Sequence, residues 1–340
     1  MRGFFWMLLA VVMLVPGAAA AQVPSVDPRV QEIAERWLRK AAPHDGAVVL
    51  SDVKTGRILA WASRGAGDKV ATAFAPSASV FKLATVSALL DSGRANAGST
   101  ACYAGGERKF ELADLRDVAS RDTACIPLRT AVGHSVNLVI AKLALRHVQP
   151  AEVRAKAGLL GLDGLVPIDR RVGISKVDLP NDRLGFARAS AGFWNGRTSA
   201  LGALFAVQTI ANGGMRVRMH TTTRSPVRVE EGRAVSTSSA TELTRMMQLT
   251  TRSGTASKVF RKARRASLSG ISVAAKTGTL VGDKPARMYS WFTGFAPAES
   301  PEIAIAVVLA NDITWTMKGN EVGREVLADY FDQARARRRP

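Results

Sequence analysis

Ser79 and Lys82 stand three residues apart and could do covalent chemistry together if the segment carrying them is helical. A serine hydroxyl is a weak nucleophile until a neighbouring base takes its proton. A lysine amine can be that base once burial or nearby cations lower its pKa. The sequence predicts the helix: after Pro76, residues Val80, Leu83, Ala84, Val86 and 88–90 are apolar, and no breaker intervenes before Gly93. Residues three apart then share a helix face, with Cβ atoms roughly 5–6 Å apart. The free N–H groups and positive dipole end of the first turn also lie where an oxyanion would form.

The spacing alone is weak, because Ser51-Asp52-Val53-Lys54 repeats it. That copy follows the apolar run 47–50, which reads as a strand. Side chains alternate along a strand, so residues three apart point to opposite faces and cannot converge. Two further groups fit the Ser79 copy. Ser135-x-Asn137 opens an apolar helix; taken alone, it reads as a helix cap. Lys276-Thr277-Gly278-Thr279 ends an expected strand over 271–275, where it could line one wall of a cleft with a cation and hydroxyls. Its glycine would let a substrate approach the backbone closely. Lys54-Thr55-Gly56 is a decoy of this group, sitting where a hairpin turn wants Thr-Gly.

The elements that must position these residues follow in order. Asp27 caps a helix that Pro28 opens, with Val30, Ile33, Ala34, Trp37 and Ala41 as its apolar stripe. Strands over 46–53 and 57–62 form a hairpin. The Ser79 helix comes next, and 91–127 reads as polar loop. A helix over 128–148 turns near Gly133–Asn137, a short helix is expected over 150–165, and 166–186 has no clear period. A buried helix over 198–211 stops at Asn212-Gly213-Gly214. Ser239-x-x-Glu242 reads as a capping box for a helix to Thr251. Strands over 270–276, 288–296 and 303–310 and a helix over 321–334 complete the chain. This order predicts an α+β fold: one five-stranded antiparallel sheet built from 46–63 and 270–310, flanked by helices, with a mainly helical lobe (64–269) inserted between strands 2 and 3.

Composition narrows the setting. Arg2, the apolar run 4–15, Pro16-Gly17 and Ala18–Ala21 read as a signal peptide cleaved after residue 21; an uncleaved anchor is the competing reading. Residues 22–340 are then one exported catalytic domain in the periplasm or cell envelope. The formal net charge is +19, with a basic tail at 335–340 that reads as disordered. The basic residues are otherwise scattered, so the expected attraction is to an anionic cell-wall polymer or membrane surface, not nucleic acid. Cys102 and Cys125, the two cysteines of an exported chain, predict a disulfide. His44, His134, His147 and His220 do not cluster, so neither a metal site nor any other cofactor is expected.

The three groups in this order resemble the set found in penicillin-binding proteins and serine β-lactamases. The first hairpin, Ile210–Gly214, Gly254-Thr255-Ala256 and Ser290–Pro297 are similar to the penicillin-binding transpeptidase domain, and the likeness runs from Gly46 to Asp332. The resemblance implies a β-lactamase/transpeptidase-like fold and a D,D-transpeptidase that binds peptidoglycan stem peptides and β-lactams. It implies Ser79 as the acylated nucleophile, Lys82 as its base, and Ser135 as a proton relay linked to Lys82 and Lys276. Asn137 would hold Lys82 and a substrate amide. Lys276, Thr277 and Thr279 would take the terminal carboxylate, and the N–H groups of Ser79 and Thr279 would form the oxyanion hole. A class D-like serine β-lactamase, a D,D-carboxypeptidase and a non-catalytic β-lactam sensor are the alternatives. Against the β-lactamases stand the lack of a Glu-x-x-Leu-Asn stretch and the presence of Asn137, where one such class usually has an apolar residue.

Ser79→Ala should abolish labelling by a tagged penicillin, whereas Ser51→Ala should leave it nearly intact. Loss of labelling in folded Ser51→Ala would misplace the site.

Overall fold

A computed structural model describes residues 25–106, 109–193, 196–222, 228–262, 268–283, 286–312 and 315–337. The expected signal peptide, 1–21, and residues 338–340 of the expected tail lie outside the described residues. Helix α1 (Pro28–Ala41) starts where Asp27 accepts hydrogen bonds from Arg29 N and Val30 N. The predicted stripe is buried along it. Strands β1 (Asp45–Asp52) and β2 (Ile58–Arg64) form the first hairpin. Strands β3 (Ala274–Asp283), β4 (Ala286–Ala296) and β5 (Ile303–Asn311) come from the far end of the chain. Together they make a five-stranded antiparallel sheet in the order β3-β4-β5-β1-β2.

Both faces of this sheet are covered, which is why β1 and β5 read as continuous apolar runs. Val48, Leu50, Ile303, Ile305, Val307 and Leu309 face α1 and α10 (Gly319–Arg337). Ala47, Val49, Ala304, Ala306 and Val308 face the helical lobe. The lobe contains α2 (Lys82–Asp91), α3 (Leu128–His134), α4 (Asn137–His147), α5 (Pro150–Leu159), α6 (Arg183–Ser190), α7 (Ala200–Ala211), α8 (Thr237–Arg252) and α9 (Ser257–Lys262). Helix α7 lies against β1, β4 and β5 and is buried from Ala200 to Ile210.

Several boundaries differ from the sequence expectation, each for a physical reason. Strand β3 begins at Ala274 and runs to Asp283, so Lys276–Thr279 lies inside a strand and does not end one. Its apolar period stops at Ala275, but pairing with β4 continues from Ala274↔Phe295 to Asp283↔Ala286. The N-cap of α8 is Ser236, not Ser239; Ser236 Oγ accepts from Ser239 N (3.2 Å). The Asp91 carboxylate, accepting from Ser236 N at 3.2 Å, fixes that start from outside the helix. Helix α6, capped by Asp182, occupies part of the aperiodic stretch. Helix α10 continues to Arg337, so residues 335–337 of the expected disordered tail are helical. The stretch 91–127 holds an antiparallel hairpin, Thr100–Tyr103 with Ala124–Pro127. Its centre is the Cys102–Cys125 disulfide, between residues directly opposite each other. Lys142 of α4, fully buried, donates to Cys102 O (2.7 Å) and Arg116 O (3.1 Å) and pairs with Asp117 and Asp122, clamping the hairpin to the lobe.

Unfolded, unreduced protein should show no free thiol. Replacing both cysteines by serine should lower unfolding free energy by about 3 kcal/mol, on the loop-closure entropy of a bridge of this span. Denaturant titration of both forms checks it; two free thiols would refute the bridge.

Candidate active site

Ser79 lies in a single 3-10 turn, Ala78–Val80, that precedes α2; the α-helix proper begins at Lys82. Val80 N and Phe81 N donate to Ser77 O (3.1 Å) and Ala78 O (3.1 Å), which tightens the turn. Ala78 takes φ 46°, a left-handed conformation costing an L-residue about 1–2 kcal/mol. Surrounding contacts hold this backbone. Buried Trp291 Nε1 donates to Pro76 O (2.8 Å), and Ala75–Pro76 pairs with Arg197 and Thr198. Gly278 of β3 packs so closely that a Cβ there would lie 3.3 Å from Ser79 N and 3.3 Å from Ala78 Cβ. The close approach made by this glycine is therefore to the Ser79 turn.

Ser135 also has a positive φ, 59°, as the left-handed C-cap of α3. Its N–H donates to Val132 O (3.2 Å), and Val136 N donates to Ala131 O (2.8 Å). The chain is thereby reversed into α4, which Asn137 opens. This corner aims both side chains at Lys82.

The geometry converges on one amine. Lys82 Nζ lies 3.0 Å from Ser79 Oγ, 2.9 Å from Ser135 Oγ, 2.9 Å from Ser135 O and 2.5 Å from Asn137 Oδ1. Lys276 Nζ reaches the same Ser135 hydroxyl at 2.9 Å and donates to Thr277 O at 2.9 Å. Asn137 Nδ2 donates to Gly106 O (3.2 Å), in the segment that leaves the disulfide hairpin. Both lysines are fully buried, whereas Ser79 and Ser135 stay partly accessible. Burial, and after it the Lys276 charge, holds Lys82 well below the usual lysine range. Burial brings Lys276 down to about 7. A neutral Lys82 has two N–H donors for Asn137 Oδ1 and Ser135 O, and a lone pair to accept a serine proton.

The structure brings together Ser79, Lys82, Ser135, Asn137 and Lys276, with Thr277–Thr279 on the adjoining strand. It keeps the decoys apart: Ser51 is buried in β1, donating to Gln208 Oε1 (2.5 Å), while Lys54 is exposed in the hairpin turn. The roles of Gly106 O and Trp291 had no signal in the spacing of residues, since both depend on packing across distant elements.

The antiparallel sheet and the lysine-coupled serine at its edge define a class of active-serine domains. The chain matches the family model of the penicillin binding protein transpeptidase domain over residues 46–332 and belongs to that family. It is 26% identical over 337 residues to a peptidoglycan D,D-transpeptidase, PbpA, of Mycobacterium tuberculosis, covering 84% of this chain and 66% of that protein. The chain thus spans just under two thirds of that relative. The transpeptidase domain of Burkholderia pseudomallei penicillin-binding protein 3 superposes with a TM-score of 0.76 at 20% identity, covering 96% of this chain and 99% of that one. A penicillin G acyl-enzyme complex of penicillin-binding protein A from M. tuberculosis superposes at 0.70 with 23% identity, covering 91% of this chain and 80% of that one.

Lysine Cε NMR titration should find Lys82 half-protonated well below 10.5. Lys276→Met keeps the volume but removes the like charge, so the Lys82 midpoint should rise; an unmoved midpoint would sever the coupling. Unfolded Lys276 keeps its proton up to about 10.5 and folded Lys276 only to about 7. The unfolded state therefore binds more protons across that interval, and this group adds stability as pH rises through it.

Proposed function

We propose that the chain is a serine D,D-transpeptidase of peptidoglycan cross-linking that also binds penicillin covalently. The observation that carries this reading is the run Ser79 Oγ–Lys82 Nζ–Ser135 Oγ–Lys276 Nζ, each step at hydrogen-bond distance with both amines buried. Ser79 Oγ attacks the carbonyl between the two terminal D-alanines of a stem peptide while Lys82 takes its proton. The tetrahedral oxyanion faces the N–H groups of Ser79 and Thr279, donors typically worth ~3–4 kcal/mol each. Ser135 passes a proton to the departing D-alanine amine and is restored from Lys82. An acceptor amine then attacks the ester, losing a proton by the same route, and Ser79 is regenerated. Asn137 orients Lys82 and the substrate amide. Lys276, Thr277 and Thr279 receive the terminal carboxylate, with Gly278 holding their strand against the Ser79 turn.

The penicillin G acyl-enzyme of the mycobacterial relative supports the covalent step, and Asn137 favours this reading over a class D-like β-lactamase. On this proposal residues 1–21 export the chain and are removed, and 22–340 act as one catalytic domain in the cell envelope.

Intact mass after exposure to penicillin G should show one long-lived adduct, mapping to Ser79. A D-Ala-D-Ala donor peptide with an amine acceptor should release D-alanine and yield the transfer product. Steady hydrolysis of penicillin would make the protein a β-lactamase, and no adduct at all would make it a non-catalytic member of the fold.

A further inference from the structure

Beyond the three motif groups, one side chain outside them touches the proposed carboxylate wall. Thr255 lies just past the end of α8, and its hydroxyl is hydrogen-bonded to that of Thr277 on β3. Thr255 is exposed and Thr277 half-buried, so the pair sits at the rim of the cleft.

The backbone around Thr255 is fixed from both sides of the cleft. Thr255 N donates to Gly133 O (3.3 Å), two residues before Ser135. Gly254 presses against the same carbonyl, and a Cβ there would lie 2.0 Å from Gly133 O. One turn earlier, Thr251 Oγ1 donates to Val273 O (2.7 Å), next to the start of β3. The segment 251–255 therefore bridges the helix that ends in Ser135 and the strand that carries Lys276 and Thr277.

We propose that Thr255 is a positioning residue that sets the direction in which Thr277 donates, and so tunes selectivity for an acyl donor with a free carboxylate. This inference rests on the transpeptidase reading. A hydroxyl has one proton to give and lone pairs to accept with, whereas a carboxylate only accepts. Thr277 can serve the carboxylate only by spending its single proton on it. Thr255 must then be the donor within the pair, giving its proton to Thr277 Oγ1. The chain Thr255 O–H to Thr277 O–H to carboxylate is polarised in one sense, and each bond strengthens the next. Without the Thr255 hydroxyl, Thr277 keeps its place on the strand, but its proton is free to turn towards other acceptors.

The test compares acylation of Ser79 by penicillin G with acylation by its methyl ester, which lacks the negative charge. Thr255→Val keeps the shape and removes the hydroxyl; Thr255→Ser keeps the hydroxyl. Thr255→Val should slow acylation by penicillin G about tenfold, the scale of one hydrogen bond to a charged group, and should change the ester rate by less than about twofold. Thr255→Ser should restore most of the penicillin rate. If folded Thr255→Val matches wild type on both compounds, or slows equally on both, the positioning role is overturned while the transpeptidase reading stands. A wild-type protein labelled by neither compound overturns that reading, and this inference with it.

Discussion

The site depends on one constraint: two lysine amines are buried within reach of a single serine hydroxyl. Water would hold both as ammonium ions. Among the described residues the partners of Lys82 are the neutral oxygens of Ser79, Ser135 and Asn137, with no carboxylate to balance its charge as an ammonium. Burial therefore holds its pKa well below the usual lysine range, which favours a neutral amine beside the Ser79 hydroxyl. Lys142, on α4 about one turn and a half past Asn137, shows the other solution. It is equally buried, but Asp117 and Asp122 lie against its ammonium together with two backbone carbonyls. One buried lysine is supplied with counter-charge and clamps the hairpin. The other is denied it and is set up for chemistry.

Denying water to Lys82 requires closure from several elements at once. The Ser79 turn, the Ser135 corner and β3 come from distant parts of the sequence and meet around the two amines. Their approach is limited by backbone thickness. Gly278 allows β3 to lie against Ser79, and Gly254 allows the end of α8 to lie against the carbonyl of Gly133. Of the three non-glycine residues with positive φ among the described residues, two, Ala78 and Ser135, sit beside or within the candidate site. Their strain is tolerated because hydrogen bonds and packing on either side over-determine the path of the chain.

The five-stranded sheet supplies the stiffness that this arrangement needs. Because apolar layers cover both of its faces, β3 is held from behind through β4, and α7 and α8 pack on the lobe side. Strand β3 is an edge strand, so one side of its backbone is open to the cleft while the other is tied into the ladder. A cleft wall of this kind can be rigid and still expose backbone groups to a ligand.

Much of this was legible in the residues alone. The stripe of α1, the first hairpin, the buried α7 and the last two strands follow from periodicity, because each buries a face whose pattern is local. Ser79, Lys82, Ser135, Asn137 and Lys276 could be picked out together only from the three groups in their order and the family resemblance, since Ser135-x-Asn137 alone reads as a helix cap. What the sequence did not determine was set at long range. The pairing with β4 carries β3 past the apolar run that ends at Ala275 and through Thr279. Asp91, in another helix, fixes the start of α8 at Ser236. The carbonyl of Gly106 meets Asn137 with no local signal, because a backbone oxygen looks the same everywhere in a sequence, and Gly254-Thr255-Ala256, though similar to the family, carried no sign that the Thr255 hydroxyl meets Thr277. Local patterns determine which segments become helix or strand, since those bonds close within a few residues. Which amine loses its water, and hence its proton, is decided only when distant segments close around it.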